Sequence, residues 1–177
     1  MTIDITICEA AVGDVAALSA VGSESFRAAY ENFSEPDDLI AHLDSFFSKK
    51  AIEREIRLPG RHYLIAHNAG KPAGFVKIQE NKRPDEVPAS RALELRHVYV
   101  LPEQQRFGIG GQLIAAAARF AREKAADGIW LTVWEDAPWA VNCYLKYGFE
   151  KVGKIDFHLG KTTYIDLLMW RPVDLAD

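Results

Sequence analysis

The sequence predicts an α/β fold built on one mixed sheet, and two observations support this class. The predicted elements run strand, helices, three strands, helix, strand, helix and two final strands, an order that packs helices against a sheet with parallel and antiparallel neighbours. The composition is that of an ordinary globular chain, with 49% hydrophobic and 26% charged residues among 177. This length suits one well-formed core, and we expect residues 1–177 to form a single domain.

The first third combines one strand with helices. Met1–Ile7 alternates apolar and polar residues, which predicts the first strand. From Val15 to Tyr30, apolar residues recur at intervals of three and four, which predicts a helix with Asp14 as its candidate cap. A second helix is expected to begin at Ser34–Pro36, because proline is tolerated in a first helical turn, and Lys49–Arg57 forms a short third helix.

The middle of the chain changes to the period of strands. His62–His67 and Ala73–Gln79 are predicted strands joined by the hairpin turn Asn68–Lys71, and Asn81–Ser90 is a loose loop. Ala92–Leu101 is a further strand with clean alternation. One face would carry Leu93, Leu95, His97, Tyr99 and Leu101, and the other Glu94, Arg96, Val98 and Val100.

Ile109–Ala126 is the strongest predicted helix. Its apolar residues lie on one face, and Gly128 is expected to take the left-handed position that closes it. The remaining elements are a strand, a short helix and two strands, over Ile129–Val133, Pro138–Lys146, Phe149–Asp156 and Tyr164–Trp170.

Charge and cysteine usage exclude several classes. The formal net charge is −4 without a long basic run, so nucleic acid is not expected as a partner. No apolar run approaches the roughly 20 residues of a membrane span, and the N-terminus has no signal-peptide pattern. Cys8 and Cys143 have neither metal-ligand nor redox spacing. We therefore expect a cytoplasmic protein without a metal site.

The segment Gln105–Gly111 is the strongest chemical signal. Its three glycines fall where a strand turns into a helix, so the backbone can approach a ligand closely. The first N–H groups of a helix are free, and its dipole favours anions, which makes this a candidate phosphate site. A P-loop would need Lys-Ser/Thr where Gln112 stands. A dinucleotide fingerprint would need a further glycine and an acidic residue, where the chain has Ala115 and Trp134.

Two motifs carry a family resemblance. Gln105–Gly110 resembles the Gln/Arg-x-x-Gly-x-Gly/Ala signature of the GNAT acetyltransferases, and Leu95–Pro102 resembles the family's fourth strand. A downstream segment is similar to the family's second cofactor motif at Ala140, Tyr144, Lys146, Gly148 and Phe149. The resemblance implies a mostly antiparallel sheet of about seven strands, splayed between the fourth and fifth, and an N-acetyltransferase that uses acetyl-CoA. It implies that the following residues bind the cofactor: Val98, Tyr99, Val100, Gln105, Arg106, Phe107, Gly108, Ile109, Gly110, Gly111 and Tyr144.

Acyl transfer from a thioester to an amine needs a group that protonates the leaving thiolate and one that removes the ammonium proton. The resemblance gives the first role to Tyr144, for which a core tyrosine is the alternative. Glu94 is the candidate base, with a solvated or salt-bridged glutamate equally open. His97 is weaker because alternation places it opposite Glu94, and His158 is predicted to be a loop histidine. Where the family often has an asparagine, this chain has Ala137.

The acceptor is less defined. The helical N-terminal part and the ending Asp166–Met169 resemble the PaiA type of bacterial polyamine acetyltransferases. This implies a small amine substrate, for which Tyr30 and Glu31 are candidate binding residues. A peptide or protein N-terminus remains an alternative acceptor, as does a non-catalytic acyl-CoA-binding regulatory module. Family members are often dimers, which leaves a homodimer open.

Overall fold

The computed structural model describes residues 4–173, and its centre is a seven-stranded mixed sheet. The strands lie in the order β1-β2-β3-β4-β5-β7-β6, with β4 and β5 parallel and every other neighbouring pair antiparallel. They are β1 Ile5–Glu9, β2 Arg61–Asn68, β3 Lys71–Gln79, β4 Ala92–Val100, β5 Gly128–Trp134, β6 Glu150–Leu159 and β7 Thr162–Pro172. The predicted α/β class and mixed, mostly antiparallel sheet are confirmed. Residues 1–3 of the predicted first strand lie outside the described residues.

Within residues 4–173, five α-helices connect and cover the strands. They are α1 Val15–Tyr30, α2 Pro36–Phe46, α3 Lys49–Ile56, α4 Ile109–Glu123 and α5 Pro138–Lys146. Asp14 holds the predicted N-cap position of α1, but its carboxylate accepts a hydrogen bond from the Ala11 N–H at 2.8 Å and makes none to that helix. The predicted closing residue of α4 is wrong. Ala125, with φ of 55°, takes the left-handed position after α4, whereas Gly128 begins β5.

The helices divide between the two faces of the sheet according to side-chain alternation. α1, α2 and α3 pack on the face that carries Tyr63, Ile65 and Phe75. α4 packs on the opposite face, which carries Leu64 and Val76. Each fully buried large apolar side chain contributes about 1.5–3 kcal/mol relative to exposure, so these two clusters fix both helix layers on the sheet.

The sheet opens between its two parallel strands. β4 and β5 pair only where Ala92–Glu94 lies beside Gly128–Trp130, and the strands separate beyond these residues. The predicted splay between the fourth and fifth strands is therefore confirmed. Past Glu94, the β5-facing edge of β4 has no strand beside it. Apart from the Val100 carbonyl, which accepts a hydrogen bond from Gln105, its backbone polar groups there are left to a ligand or to water.

A bulge in β4 changes which residues share a face. Leu95 pairs with Ile78 and His97 pairs with Lys77, so Arg96 is the extra residue. A bulge inserts one residue and thereby reverses the alternation that follows it. Glu94 and His97 consequently lie on the same side and line the same small cavity. The prediction that His97 lies on the face opposite Glu94 is wrong for this reason.

Candidate active site

The separation of β4 from β5 opens a cleft of about 660 Å³. Its lining comes from the start of α4 and from α5 at one end, and from α1, α2 and the β5–β7 pair at the other. The middle is the unpaired edge of β4, where Val98, Tyr99 and Val100 line the wall. An extended ligand with amide groups can lie along this edge, because the separated strand leaves its backbone free there.

The loop before α4 forms the first end of the cleft. Gly108 is the N-cap of α4 with φ of 77°, and Arg106 is also left-handed with φ of 71°. Such a conformation costs a non-glycine residue roughly 1–2 kcal/mol, so the surroundings hold Arg106 in it. The first hydrogen bond of the helix runs from the Gln112 N–H to the Gly108 carbonyl at 3.1 Å. The earlier N–H groups have no intrahelical acceptor and suit a phosphate.

Packing explains why the third glycine of this loop, Gly111, carries no side chain. A Cβ on Gly111 would overlap the hydroxyl of Tyr147, which packs against the helix start. A Cβ on Gly110 would meet only Val100, at 3.9 Å. Arg106 and Lys146 also line this end, so the cleft is positively charged where the free amides lie.

Tyr144 stands on α5 and lines the cleft in a partly buried position. Its ring makes an edge contact with Phe149, with centroids 5.5 Å apart. Burial raises the pKa of the Tyr144 phenol, with smaller contributions from Cys143 and Tyr30. The phenol is therefore protonated at neutral pH and can donate a hydrogen bond to a group in the cleft.

Glu94 lies beside the cleft and not among its lining residues. It is 3% exposed, and its carboxylate accepts hydrogen bonds from Gln79 Nε2 at 2.5 Å and Asn81 Nδ2 at 2.9 Å. It lines a neighbouring cavity of about 320 Å³, which shares Phe46, Arg96 and His97 with the cleft. Phe46 is apolar, so any exchange of protons between Glu94 and the cleft passes Arg96, His97 or water near them.

The second end of the cleft is aromatic and contains a residue that sequence reasoning missed as a site residue. Tyr30, His42, Trp134 and Phe157 line this end together with Asp166, which is 8% exposed. Burial raises the pKa of Asp166 to about 6. A hydrogen bond from Thr132 and the charge of Arg96 act in the opposite direction and lower that pKa by less. The available signal was a single acidic residue in the otherwise uncharged strand Tyr164–Met169.

The structure sorts the remaining predicted residues by position. Among the candidate cofactor residues, Phe107 is turned to the surface, and the others named from the resemblance line the cleft. Of the two candidate acceptor residues, Tyr30 lines the cleft, whereas Glu31 is exposed outside its lining.

Two further positions clarify the sequence interpretation. Ala137 is buried at the start of α5, and the nearby Asn142 is exposed outside the cleft lining, so it supplies no amide there. His158 lies within β6, with Nδ1 at 3.0 Å from the Thr163 hydroxyl, so its prediction as a loop residue is wrong.

Within residues 4–173, no group of three or more histidine, cysteine, aspartate or glutamate side chains is placed to hold a metal ion. In the same part of the chain, no helix is long and apolar enough to cross a membrane.

Comparisons with known proteins agree with this geometry. The model of the acetyltransferase (GNAT) family matches residues 24–149. The chain is 26% identical over 165 residues to an uncharacterized N-acetyltransferase from the pepI 3′ region of Lactobacillus delbrueckii subsp. lactis, covering 93% of this chain and 95% of that protein.

Solved structures resemble it over the whole fold. The PaiA N-acetyltransferase of Thermoplasma acidophilum, in complex with coenzyme A, has a TM-score of 0.77 at 21% identity, with 96% of this chain and 99% of that one covered. The protein yncA of Salmonella typhimurium, solved with its cofactor acetyl-CoA, has a TM-score of 0.68 at 17% identity, with 98% and 96% covered. At these identities the likeness shows the fold.

Proposed function

We propose that this chain, which belongs to the GNAT acetyltransferase family, transfers the acetyl group of acetyl-CoA to a small primary amine. Family membership makes the protein an N-acetyltransferase with acetyl-CoA as the acyl donor. The acceptor and the residues that carry the reaction are proposed from the cleft. Residues 1–177 are proposed to act as one catalytic domain.

The residues of the cleft fit coenzyme A. The free amides at the start of α4, with Gly108, Gly110 and Gly111, are suited to the pyrophosphate, and Arg106 adds a positive charge. Gln105 lies beside them, where its side-chain amide donates to the Val100 carbonyl at 3.3 Å. The unpaired edge of β4 is suited to the amide-bearing pantetheine arm. The complexes of PaiA with coenzyme A and of yncA with acetyl-CoA support this assignment by analogy of fold.

Tyr144 is the proposed general acid. Acetyl-CoA supplies a thioester whose sulfur leaves as a thiolate, and the protonated Tyr144 phenol donates its proton to that sulfur. Its place in the cleft carries this role, because a protonated phenol there can donate a hydrogen bond to the sulfur. The retention of this phenol in the cleft weighs against a non-catalytic acyl-CoA-binding module.

Glu94 remains the proposed base, acting through water. Its carboxylate is buried beside the cleft, and Arg96 and His97, the two polar residues that line both cavities, separate it from the acceptor end. Burial lowers the pKa of His97 well below its usual value, and so does the nearby charge of Arg96. His97 is therefore neutral at neutral pH, and its imidazole can hydrogen-bond to water between the two cavities.

The single observation that carries a small amine as acceptor is the enclosed aromatic end of the cleft. Rings from Tyr30, Trp134 and Phe157 surround it, and it contains a carboxylate. The polyamine substrate suggested by the PaiA resemblance stays a prediction. The exposed position of Glu31 outside the cleft lining does not support it.

The test is release of free thiol from acetyl-CoA in the presence of primary amines, with Tyr144→Phe and Tyr63→Phe as matched variants. Tyr63 is a buried tyrosine on the face of the sheet covered by α1–α3, outside the cleft lining. Its substitution removes the same phenolic hydroxyl away from the cleft. We expect turnover by the wild type and by the Tyr63 variant, and strongly reduced turnover by the Tyr144 variant. Coenzyme A binding without acetylation of any amine would refute the proposed function.

A further inference from the structure

We propose that Asp166 binds the ammonium group of the acceptor and selects amines that carry one positive charge on an apolar or aromatic body. This inference deepens the proposed function and rests on it. It names the substrate class of the cleft's aromatic end and the residue that recognises it.

Burial and an unpaired oxygen make the Asp166 carboxylate suited to bind a cation. The residue lies on β7 opposite Trp134 of β5, is 8% exposed and lines the cleft. Among the described residues, its Oδ1 atom has no hydrogen-bond partner. A buried acceptor without a partner costs about 1–3 kcal/mol, and more when it is charged. An ammonium group with three donors can satisfy this atom.

The walls around Asp166 are aromatic. The Tyr30 and Trp134 rings are stacked with centroids 5.8 Å apart, and Phe26 stacks on Tyr30 at 4.4 Å. His42 stacks on Phe26 at 4.3 Å and meets the edge of Phe157 at 6.2 Å. Such rings attract a cation through their faces and bury the hydrocarbon or aromatic part of a ligand. This end of the cleft is therefore an aromatic, largely apolar pocket that contains one carboxylate.

The charges that face this end limit the acceptor to one ammonium group. Among the described residues that line the cleft, Asp166 is the one carboxylate, whereas Arg96, Arg106 and Lys146 are cations. Burial lowers the pKa of His42 to about 4, helped by the charge of Arg96, so His42 is neutral at neutral pH. A second or third ammonium group of a polyamine would find no further carboxylate in the described cleft lining, because Glu94, which pairs with Arg96 at 3.4 Å, lies outside it. A charge that is buried without a partner is unfavourable for binding.

Asp166 lines the same cleft as the reacting end. Tyr30 and Tyr144 are both among the residues that line this cleft with it. An amine held by Asp166 therefore shares the cleft with the phenol that we assign to the leaving group.

The first experiment compares ligands on the wild-type protein saturated with coenzyme A. Isothermal titration measures the binding of phenethylamine and of its neutral analogue 2-phenylethanol. We expect the amine to bind at least about tenfold more tightly, as for a hydrogen-bonded ion pair. In the thiol-release assay, kcat/KM for phenethylamine should exceed that for spermidine by about tenfold or more. Equal affinities for amine and alcohol, or a preference for spermidine, would overturn the inference.

The second experiment uses Asp166→Asn, with Asp156→Asn on the neighbouring strand β6 as the control. Asp156 is exposed, and its substitution makes the same chemical change away from the cleft. In the Asp166 variant the affinity ratio of amine to alcohol should fall to about one, whereas the control should keep the wild-type ratio. A merely structural role would weaken both ligands equally and leave the ratio unchanged. That result would sink the inference.

Failure of this inference is distinguishable from failure of the proposed function. The absence of amine-dependent thiol release with every amine tested would refute the transferase assignment. Acetylation of spermidine in preference to phenethylamine would leave the transferase intact and overturn only the role of Asp166. Should the Asp166 variant not fold, the amine-to-alcohol ratio of the wild-type protein still decides.

Discussion

Replacing Asp166 with asparagine is expected to stabilise the folded protein at neutral pH, although the same change removes the proposed ammonium-binding group. The carboxyl has a pKa of 3.8 in an unperturbed chain and about 6 in the folded protein, chiefly because it is buried. The folded state therefore binds this proton more tightly than the unfolded state does. Stabilisation from the neutral carboxyl is fully present below about pH 4 and is lost as the pH rises through about 6.

The magnitude follows from the two pKa values. A difference between 3.8 and about 6 costs the ionised form about 3 kcal/mol, at about 1.4 kcal/mol per pKa unit. Asparagine has the same shape and no charge, so the variant should avoid most of this cost. We expect the free energy of unfolding of Asp166→Asn, relative to wild type, to be about 2–3 kcal/mol higher at about pH 8 than at about pH 4.

The assay is urea denaturation followed by tryptophan fluorescence at both pH values, without ligand. The exposed Asp156→Asn variant serves as the control, because other carboxyl groups also titrate in this range. Its difference from wild type should be the same at both pH values. If the free energy of unfolding relative to wild type changed equally with pH in the Asp166 and Asp156 variants, Asp166 would not be a destabilising buried carboxylate. The reasoning would then be refuted.

Three further substitutions test the site. Tyr144→Phe should lower kcat about 100-fold in the thiol-release assay, within the range of acid–base contributions, and an unchanged kcat would remove Tyr144 from the mechanism. Glu94→Gln should lower the free energy of unfolding by about 2 kcal/mol in urea, because it weakens buried charge-assisted hydrogen bonds. A kcat unaffected by it would argue against Glu94 as the base. Gly111→Ala should destabilise the protein by about 1–3 kcal/mol, since the new Cβ displaces Tyr147, whereas Gly110→Ala has room; equal melting temperatures for the two variants would contradict this.

Local sequence signals were sufficient to predict most of the fold and the glycine-rich loop at the start of α4. The start of α2 at Pro36, the end of α5 near Gly148 and the loop at Gly108 each depend on the conformation of one residue and its neighbours. Hydrophobic period then fixed the type of each element, as for Ile109–Glu123.

The features that the sequence did not predict depend on the register between strands and on helices packed over the sheet. The bulge at Arg96 arises from the register between β3 and β4, and nothing in the alternating sequence of β4 signals it. Asp166 becomes a site residue only because α1 and α2 bring aromatic rings over β7 from a distant part of the chain. Glu94 has the expected strand position, but partners on Gln79 and Asn81 hold its carboxylate beside the cleft.

The short junction between β4 and β5 also has a mechanical consequence. Strands β1–β4 form one block and β5–β7 another, and three residue pairs join the blocks within the sheet, while α4 packs across both. A ligand that lies along the open edge contacts both blocks and couples their unfolding. The amide hydrogens of residues 97–100 should then exchange more slowly when coenzyme A is bound, and the two blocks should unfold together at a higher temperature. In this protein, the proposed binding place of the acyl donor is also the junction between the two blocks of the sheet.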